Sequence, residues 1–436
     1  MSRVPKTYLE ILFLYVCLVT KEKDSASHDP FAALRIREFS FFIAARFFLT
    51  LGIQMQSVIV GWQVYNLTKS VLDLGYIGLA EALPFIAVSF FSGHIADIIS
   101  RKRIILVATT ALALSTVALS WFSSNASGVI SHFGITPIFV MVGLSGIIRA
   151  FLGPAFPSFM TQLVPRVHYT NAATWNSSVW HTGFIAGNTL GGLLCYFGMP
   201  VAYGIEACII FSSMAFVLFI GAKPLPPKEK KESLTESLSV GLKFVFNNKI
   251  VLGALSLDLF AVLFGGAVAM LPAFVHEVLH VGSFEFGLLR AAQAMGAVAT
   301  ALILVYFPMQ KNAGRNLLVA IAGFGLTTIL FAVSRNFYLS FFMLVLTGAF
   351  DNVSVVVRHS ILQLMTPDQM RGRVSAVNNI FIGSSNEIGA FESGLTARAM
   401  GLVTSVVFGG AMTLLIVFIT ARVAPAIRKL NLKSIE

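Results

Sequence analysis

Apolar runs long enough to cross a bilayer recur along this chain, and a spanning helix needs about 20 such residues. They lie near 40–65, 71–92, 104–122, 136–156, 172–197, 201–221, 250–274, 284–307, 316–333, 337–358, 374–397 and 400–421. Hydrocarbon cannot satisfy free backbone groups, so each run is predicted to be a helix. Most connections are short; the exception is KPLPPKEKKESLTESLSVGLKFVFNNK (223–249), polar and rich in lysine. The pattern predicts an all-α membrane protein of twelve transmembrane helices. It has an N-terminal six-helix half over 38–222, a cytoplasmic linker over 223–249 and a C-terminal six-helix half over 250–421. Residues 1–37 read as a cytoplasmic extension and 422–436 as a cytoplasmic tail. Within the extension, the apolar stretch 7–20 is too short to span and is followed by no small-residue cleavage site.

Composition agrees: 56% of the 436 residues are hydrophobic and 12% charged, where soluble chains carry about 25% charge. The net charge of +11 reads as topology and not as a nucleic-acid surface, because the cations fall between apolar runs. With both termini inside, the inner loops hold 14 Lys and Arg, among them Arg101, Lys102, Arg103, Arg371 and Arg373, while the outer loops hold Lys69, Arg335 and Arg398. Both termini are therefore placed in the cytoplasm. Three cysteines without CxxC spacing and scattered histidines indicate no metal site, and no phosphate-cradling GK[ST] loop is present. No cofactor and no catalytic residue are expected. His276 and His280, four apart, read as a solvent-facing pair.

The halves echo each other. At an offset of 212, Gly75, Ala80 and Ala82 match Gly287, Ala292 and Ala294; at an offset of 202, Ser158, Pro165, Asn176, Gly187 and Gly192 match Ser360, Pro367, Asn378, Gly389 and Gly394. A parallel repeat of six-helix units is a transporter architecture.

Ionisable groups inside spans cost about 3 kcal/mol each on insertion scales, so they face the interior or pair. Arg46, Gln54 and Ser57 share an arc of the first helix with Thr50 and Gly61, a polar stripe suited to water or substrate. Asp351 and Arg358 share one face of the tenth helix; Asn378 and Glu392 share a face of the eleventh, with Glu387 opposite. Each carboxylate has two readings, an ion pair with a neighbouring arginine or a proton carrier. Glu81 and Asp258 lead as carriers because each stands alone in a long apolar segment, where loss of water favours the protonated acid. Arg46 and Arg149 are candidate anchors for an anionic or phenolic substrate, with Arg290 and Arg358 as further cavity candidates.

GFIAGNTLGG (183–192) places Gly183, Gly187 and Gly191 on one stripe, where another helix can pack backbone to backbone; Asn188 and Gly192 lie off it. The stretch resembles the antiporter glycine motif of the major facilitator superfamily, with Asn188 where proline is usual. GHIADIISRKR (93–103) is similar to that superfamily's loop signature through Gly93, Ala96, Asp97, Arg101, Lys102 and Arg103, with Ile98 and Ser100 departing from it. RAFLGPA (149–155) matches a further pattern in part, through Arg149 and Gly153, with Leu152 in the glutamine position. Residues 30–425 resemble the branch that includes the bacterial enterobactin exporter and macrolide efflux pumps.

The resemblance implies an exporter in the bacterial inner membrane, exchanging a small amphipathic molecule for protons by alternating access. It implies that the glycine motif meets the eighth helix, at Gly287, Ala291 and Ala294. It also implies that Asp97 latches the halves by meeting the helix after Arg371 and Arg373. The expected partners are the small-molecule substrate, protons and the lipid bilayer, with no nucleic acid, and the chain is expected to be a monomer. Two other functions stay open: an uncoupled facilitator or flippase for lipid-like substrates, and a non-transporting sensor or assembly factor on the same scaffold.

Overall fold

The computed structural model describes residues 29–223, 234–307, 311–367, 370–428 and 430. The predicted extension up to residue 28 and the tail from 431 lie outside the described residues. So do the surroundings of Gly93 and the side chains of Asp97, Arg371 and Glu387.

Each apolar run falls on a helix. The first half contains α1 (Arg37–Thr68), α2 (Val71–Ile98), α3 (Arg101–Phe122), α4 (Thr136–Leu163), α5 (Tyr169–Cys195) and α6 (Met199–Leu218). After a linker helix, Leu234–Asn247, come α7 (Lys249–Phe264), α8 (Ser283–Tyr306), α9 (Ala313–Val333), α10 (Phe337–Met365), α11 (Arg371–Met400) and α12 (Leu402–Val423). Side chains cap several starts: Ser70 accepts from the Asp73 amide, Asn248 from those of Ile250 and Val251, and Asn336 from that of Leu339. Gly198 and Gly401, at φ +96° and +90°, turn the chain between the last two helices of each half.

Among the described residues, 10 segments are long and apolar enough to cross a membrane. α5 and α11 have the length, 27 and 30 residues, but carry more polar side chains. Those two helices also join the halves, for α5 packs on α8 and α2 on α11. A helix covered by protein on several sides needs less hydrocarbon-compatible surface, which accounts for their polarity.

The pairing within one half repeats in the other. α1 packs on α5 and α6, α2 on α4, and α3 on α4 and α6; likewise α7 packs on α11 and α12, α8 on α10, and α9 on α10 and α12. The sequence duplication is thus a duplication of packing.

One predicted element differs. The run 250–274 was expected as a single helix, but α7 stops at Phe264, a 3₁₀ turn follows over Gly266–Val268, and a short helix Leu271–Phe274 ends in a π-turn, Val275–Leu279. The break falls at Gly265–Gly266, two adjacent poor helix formers. A side chain on Gly266 would collide with Ser393 Oγ and stand 2.7 Å from the Gly389 carbonyl, so the glycine lets the turn after α7 lie close against α11.

Candidate functional site

The halves close on each other at the end away from the chain termini. There Gly192 of α5 lies against Ser283 and Gly287 of α8; a methyl on Gly287 would stand 2.6 Å from the Asn188 carbonyl. On the opposite flank Gly75 of α2 lies against Gly394 of α11, where a methyl on Gly394 would stand 3.0 Å from the Gly75 Cα. The repeat matches Gly75 to Gly287 and Gly192 to Gly394, so the two seams exchange under the internal symmetry.

The glycine stripe itself has a different partner from the one implied by resemblance. Gly183, Gly187 and Gly191 pack against Phe47, Leu51 and Met55 of α1, inside the first half, and α8 is met by Asn188 and Gly192. The reason is angular: the partner of a stripe is not the partner of residues about 100° around the helix.

Aromatic and polar contacts complete the seal. Trp62 stacks on Phe286 with centroids 5.7 Å apart, and Tyr76 meets Phe391 at 5.7 Å. Tyr65 donates to Glu277, and Lys69 Nζ lies 3.2 Å from His276 Nε2. His276 and His280 are both exposed, as the spacing suggested, and the His276 ring also lies against those of Trp62 and Tyr65 at the junction of the halves. Below the seal Arg290 of α8 donates to Ser57 Oγ of α1 at 2.6 Å.

Toward the end bearing the termini the halves part. In α5, Ala173, Thr174, Ser177 and Ser178 are exposed, and a Cβ on Gly153 of α4 or Gly383 of α11 would meet open space. Between the halves lies a cavity of about 460 Å³, with Trp180, His181 and Phe184 of α5 on one side and Gln293, Asp351 and Asn352 on the other. Trp180 packs on Phe184, with centroids 5.4 Å apart, and His181 Nδ1 is buried without a hydrogen-bond partner. Rings beside amide and carboxyl groups suit a molecule with apolar faces and a few polar groups.

Asp351 also borders a void of about 10 Å³ shared with Asp258 and Ser354, roughly the space of one water. Beyond it Asp258 pairs with Arg358, at side-chain exposures of 9% and 2%. Glu81 pairs with Arg149, at 23% and 33%. Neither leading carrier stands alone as the sequence suggested, because the partner arginine comes from another helix, which one-helix periodicity cannot show.

The other expected residues scatter. Arg46 lies over the Phe156 ring, 4.8 Å from its centroid, and Gln54 packs against Gly187. Asn378 is 2% exposed, apart from the cavity lining, with Oδ1 unpartnered, and Glu392 is part-buried near the sealed end of α11. Lys102 donates to the Leu218 and Ile220 carbonyls, closing the end of α6 within its own half. Arg101 Nε is buried without a partner, and the Arg373 backbone touches Gly241 of the linker helix.

Sequence reasoning missed two features. The cavity's α5 wall of Trp180, His181 and Phe184 was not singled out, since nothing along one helix marks these side chains as facing a cavity. Glu206, fully buried between α1, α3 and α6, was passed over in the run 201–221, where a lone carboxylate was the available signal. Its Oε1 accepts from Thr116 Oγ1 at 3.1 Å, Thr116 accepts from Gln56 at 3.3 Å, and Oε2 has no partner.

Among known proteins, the chain is 24% identical over 368 residues to the enterobactin exporter EntS of Citrobacter koseri, covering 84% of this chain and 86% of that one. It is 25% identical over 374 residues to EntS of Shigella boydii serotype 18, covering 85% and 88%. In fold it is similar to a bacterial homolog of the human lysosomal transporter Spinster, solved inward-facing and unoccupied, with TM-score 0.68, 15% identity and coverage of 92% and 98%. It is also similar to a POT family transporter in complex with 5-aminolevulinic acid, with TM-score 0.69, 13% identity and coverage of 90% and 96%. A family model described as a transmembrane secretion effector matches residues 28–435. The chain accordingly belongs to that family of the major facilitator superfamily, as a multi-pass inner-membrane transporter and not an enzyme.

Proposed function

We propose that this chain is a twelve-span secondary exporter with both termini in the cytoplasm, caught open to the cytoplasm and closed to the outside. The observation that carries the reading is the cavity between the halves, sealed by symmetric glycine seams at one end and open toward the termini. Rocking of the halves would part the seams and expose the same cavity to the other side. The cargo is a small amphipathic molecule of siderophore or macrolide kind, an assignment supported by the aromatic and polar cavity wall and by relatives named as enterobactin exporters.

Export runs in exchange for protons, and Asp351 is the coupling group. Among the candidate carboxyls whose side chains are described it alone borders the central cavity, and it adjoins the void leading to the Asp258–Arg358 pair. A carboxyl that faces the cargo cavity can release a proton inward as cargo enters, and take one up outward as cargo leaves. The test is efflux of siderophores, macrolides and dyes from cells lacking their own pumps, with and without an uncoupler. Asp351→Asn is expected to cut uphill export about tenfold or more at normal membrane abundance. Export indifferent to the uncoupler would replace this reading with an uncoupled facilitator or flippase.

A further inference from the structure

Two grooves on the outside of the bundle share elements that the transport cycle leaves unused. The first, about 420 Å³, is walled by Ile99, Val107, Ala111, Ile147 and Phe151, with Arg103 at its mouth. The second, about 430 Å³, is walled by Leu318, Val319, Ala322 and Val417, with Arg315 and Arg428. Arg103 and Arg315 are the third residues of α3 and α9, and the offset of 212 that carries Gly75 to Gly287 carries Arg103 to Arg315 and Val107 to Val319. The first groove opens on the α2 and α4 side of α3, the second on the α12 side of α9. What recurs is an arginine at the helix start with an exposed valine one turn on.

These arginines are not spent on the fold. No carboxylate among the described residues pairs with Arg103, Arg315 or Arg428, whereas the adjacent Lys102 closes α6. Val107 and Val319 are 63% and 58% exposed, so the grooves face the surroundings of the bundle and not its core. From Arg103 to Ala111 the wall runs about 12 Å along the helix, against roughly 15 Å of hydrocarbon in one leaflet. A slot of that length with apolar walls and a guanidinium at the headgroup end matches one acyl chain below one phosphate, and arginine grips phosphate through two parallel hydrogen bonds.

We propose that each half seats a phospholipid of the leaflet on the terminus side, its acyl chain in the groove and its phosphate on Arg103 in one half and on Arg315 with Arg428 in the other. The occupant is a lipid and not free phosphate, because the apolar wall is the larger part of both grooves and only a chain fills it. The seats hold the starts of α3 and α9, equivalent positions in the two halves, and the assignment is independent of what the transporter carries.

The experiment counts phosphatidylglycerol retained per purified chain by native mass spectrometry. It compares the parent with Arg103→Ala, Val107→Trp, Val319→Trp and the double variant Arg315→Ala/Arg428→Ala. Val117→Trp, also on the exposed face of α3, is the control. Each groove variant is expected to lose one of two retained lipids, Val107→Trp with Val319→Trp to lose both, and Val117→Trp to keep both. Full retention in the tryptophan variants would overturn the proposal. So would equal competition by glycerophosphoglycerol, which has the headgroup and no chain, since the grooves would then bind phosphate alone.

Discussion

The two halves pair their helices by one plan and bury their acids by different ones. In the first half Glu206 is shut between three helices with a threonine hydroxyl as partner, while Glu81 and Arg149 keep 23% and 33% exposure. In the second, Asp258 and Arg358 are almost dry at 9% and 2%, and Asp351 opens on the cavity. Burial therefore does not distinguish a coupling group from a structural one. What sets Asp351 apart is that it borders the cavity between the halves, where the proposed cargo would sit. The cavity draws most of its lining from α7 to α11 and takes an aromatic wall from α5.

The largest effect should come from breaking the dry pair. Asp258→Asn leaves the Arg358 guanidinium buried without its counter-charge, and removal of one partner of a buried pair costs about 3–5 kcal/mol. Unfolding in detergent should show a loss of that order. Adding Arg358→Met should recover most of it, since the pair as a whole contributes little beyond an apolar replacement. If Asp258→Asn proved as stable as the parent, the pair would not be held dry and the contrast between the halves would fall.

The less buried pair should respond far less. With both side chains part-exposed, Glu81→Gln is expected to cost about 1 kcal/mol or less. Its loss should also shrink as salt is added, which the Asp258 variant's should not. A deficit equal to that of Asp258→Asn would mean that Glu81 and Arg149 are desolvated in the working protein.

The features that separate the halves were unequally legible in the sequence. Helix positions and the duplication followed from hydropathy and from landmarks such as Gly75/Gly287 and Gly192/Gly394, because bilayer thickness and backbone satisfaction leave the chain few options. The break at Gly265–Gly266 was hidden inside an apolar run; what stabilises it is the approach of Gly389 and Ser393 from α11, over a hundred positions on. The stripe Gly183–Gly187–Gly191 was correctly grouped on one face, yet nothing in a single helix says whether α1 or α8 lies against it. The same limit applies to Glu81 and Asp258. Each is solitary along its own helix, and each is paired once Arg149 or Arg358 is brought in by α4 or α10. At Asp351 the sequence offered one carboxyl among five, and only the cavity singled it out.

The smallest effect, and the one that most sharpens the comparison, is expected at Glu206. Glu206→Gln keeps an oxygen to accept from Thr116 and removes no ion pair, so its stability should stay within about 1 kcal/mol of the parent. Uphill export should also be unchanged, because Glu206 lines neither the central cavity nor the void beside Asp351. Loss of export with normal folding would show that the first half carries protons through Gln56, Thr116 and Glu206. Access to the cargo cavity would then no longer be what marks a coupling acid. If the exchange is silent while Asp351→Asn is not, two acids on the same scaffold are separated by what they face and not by how deeply they are buried.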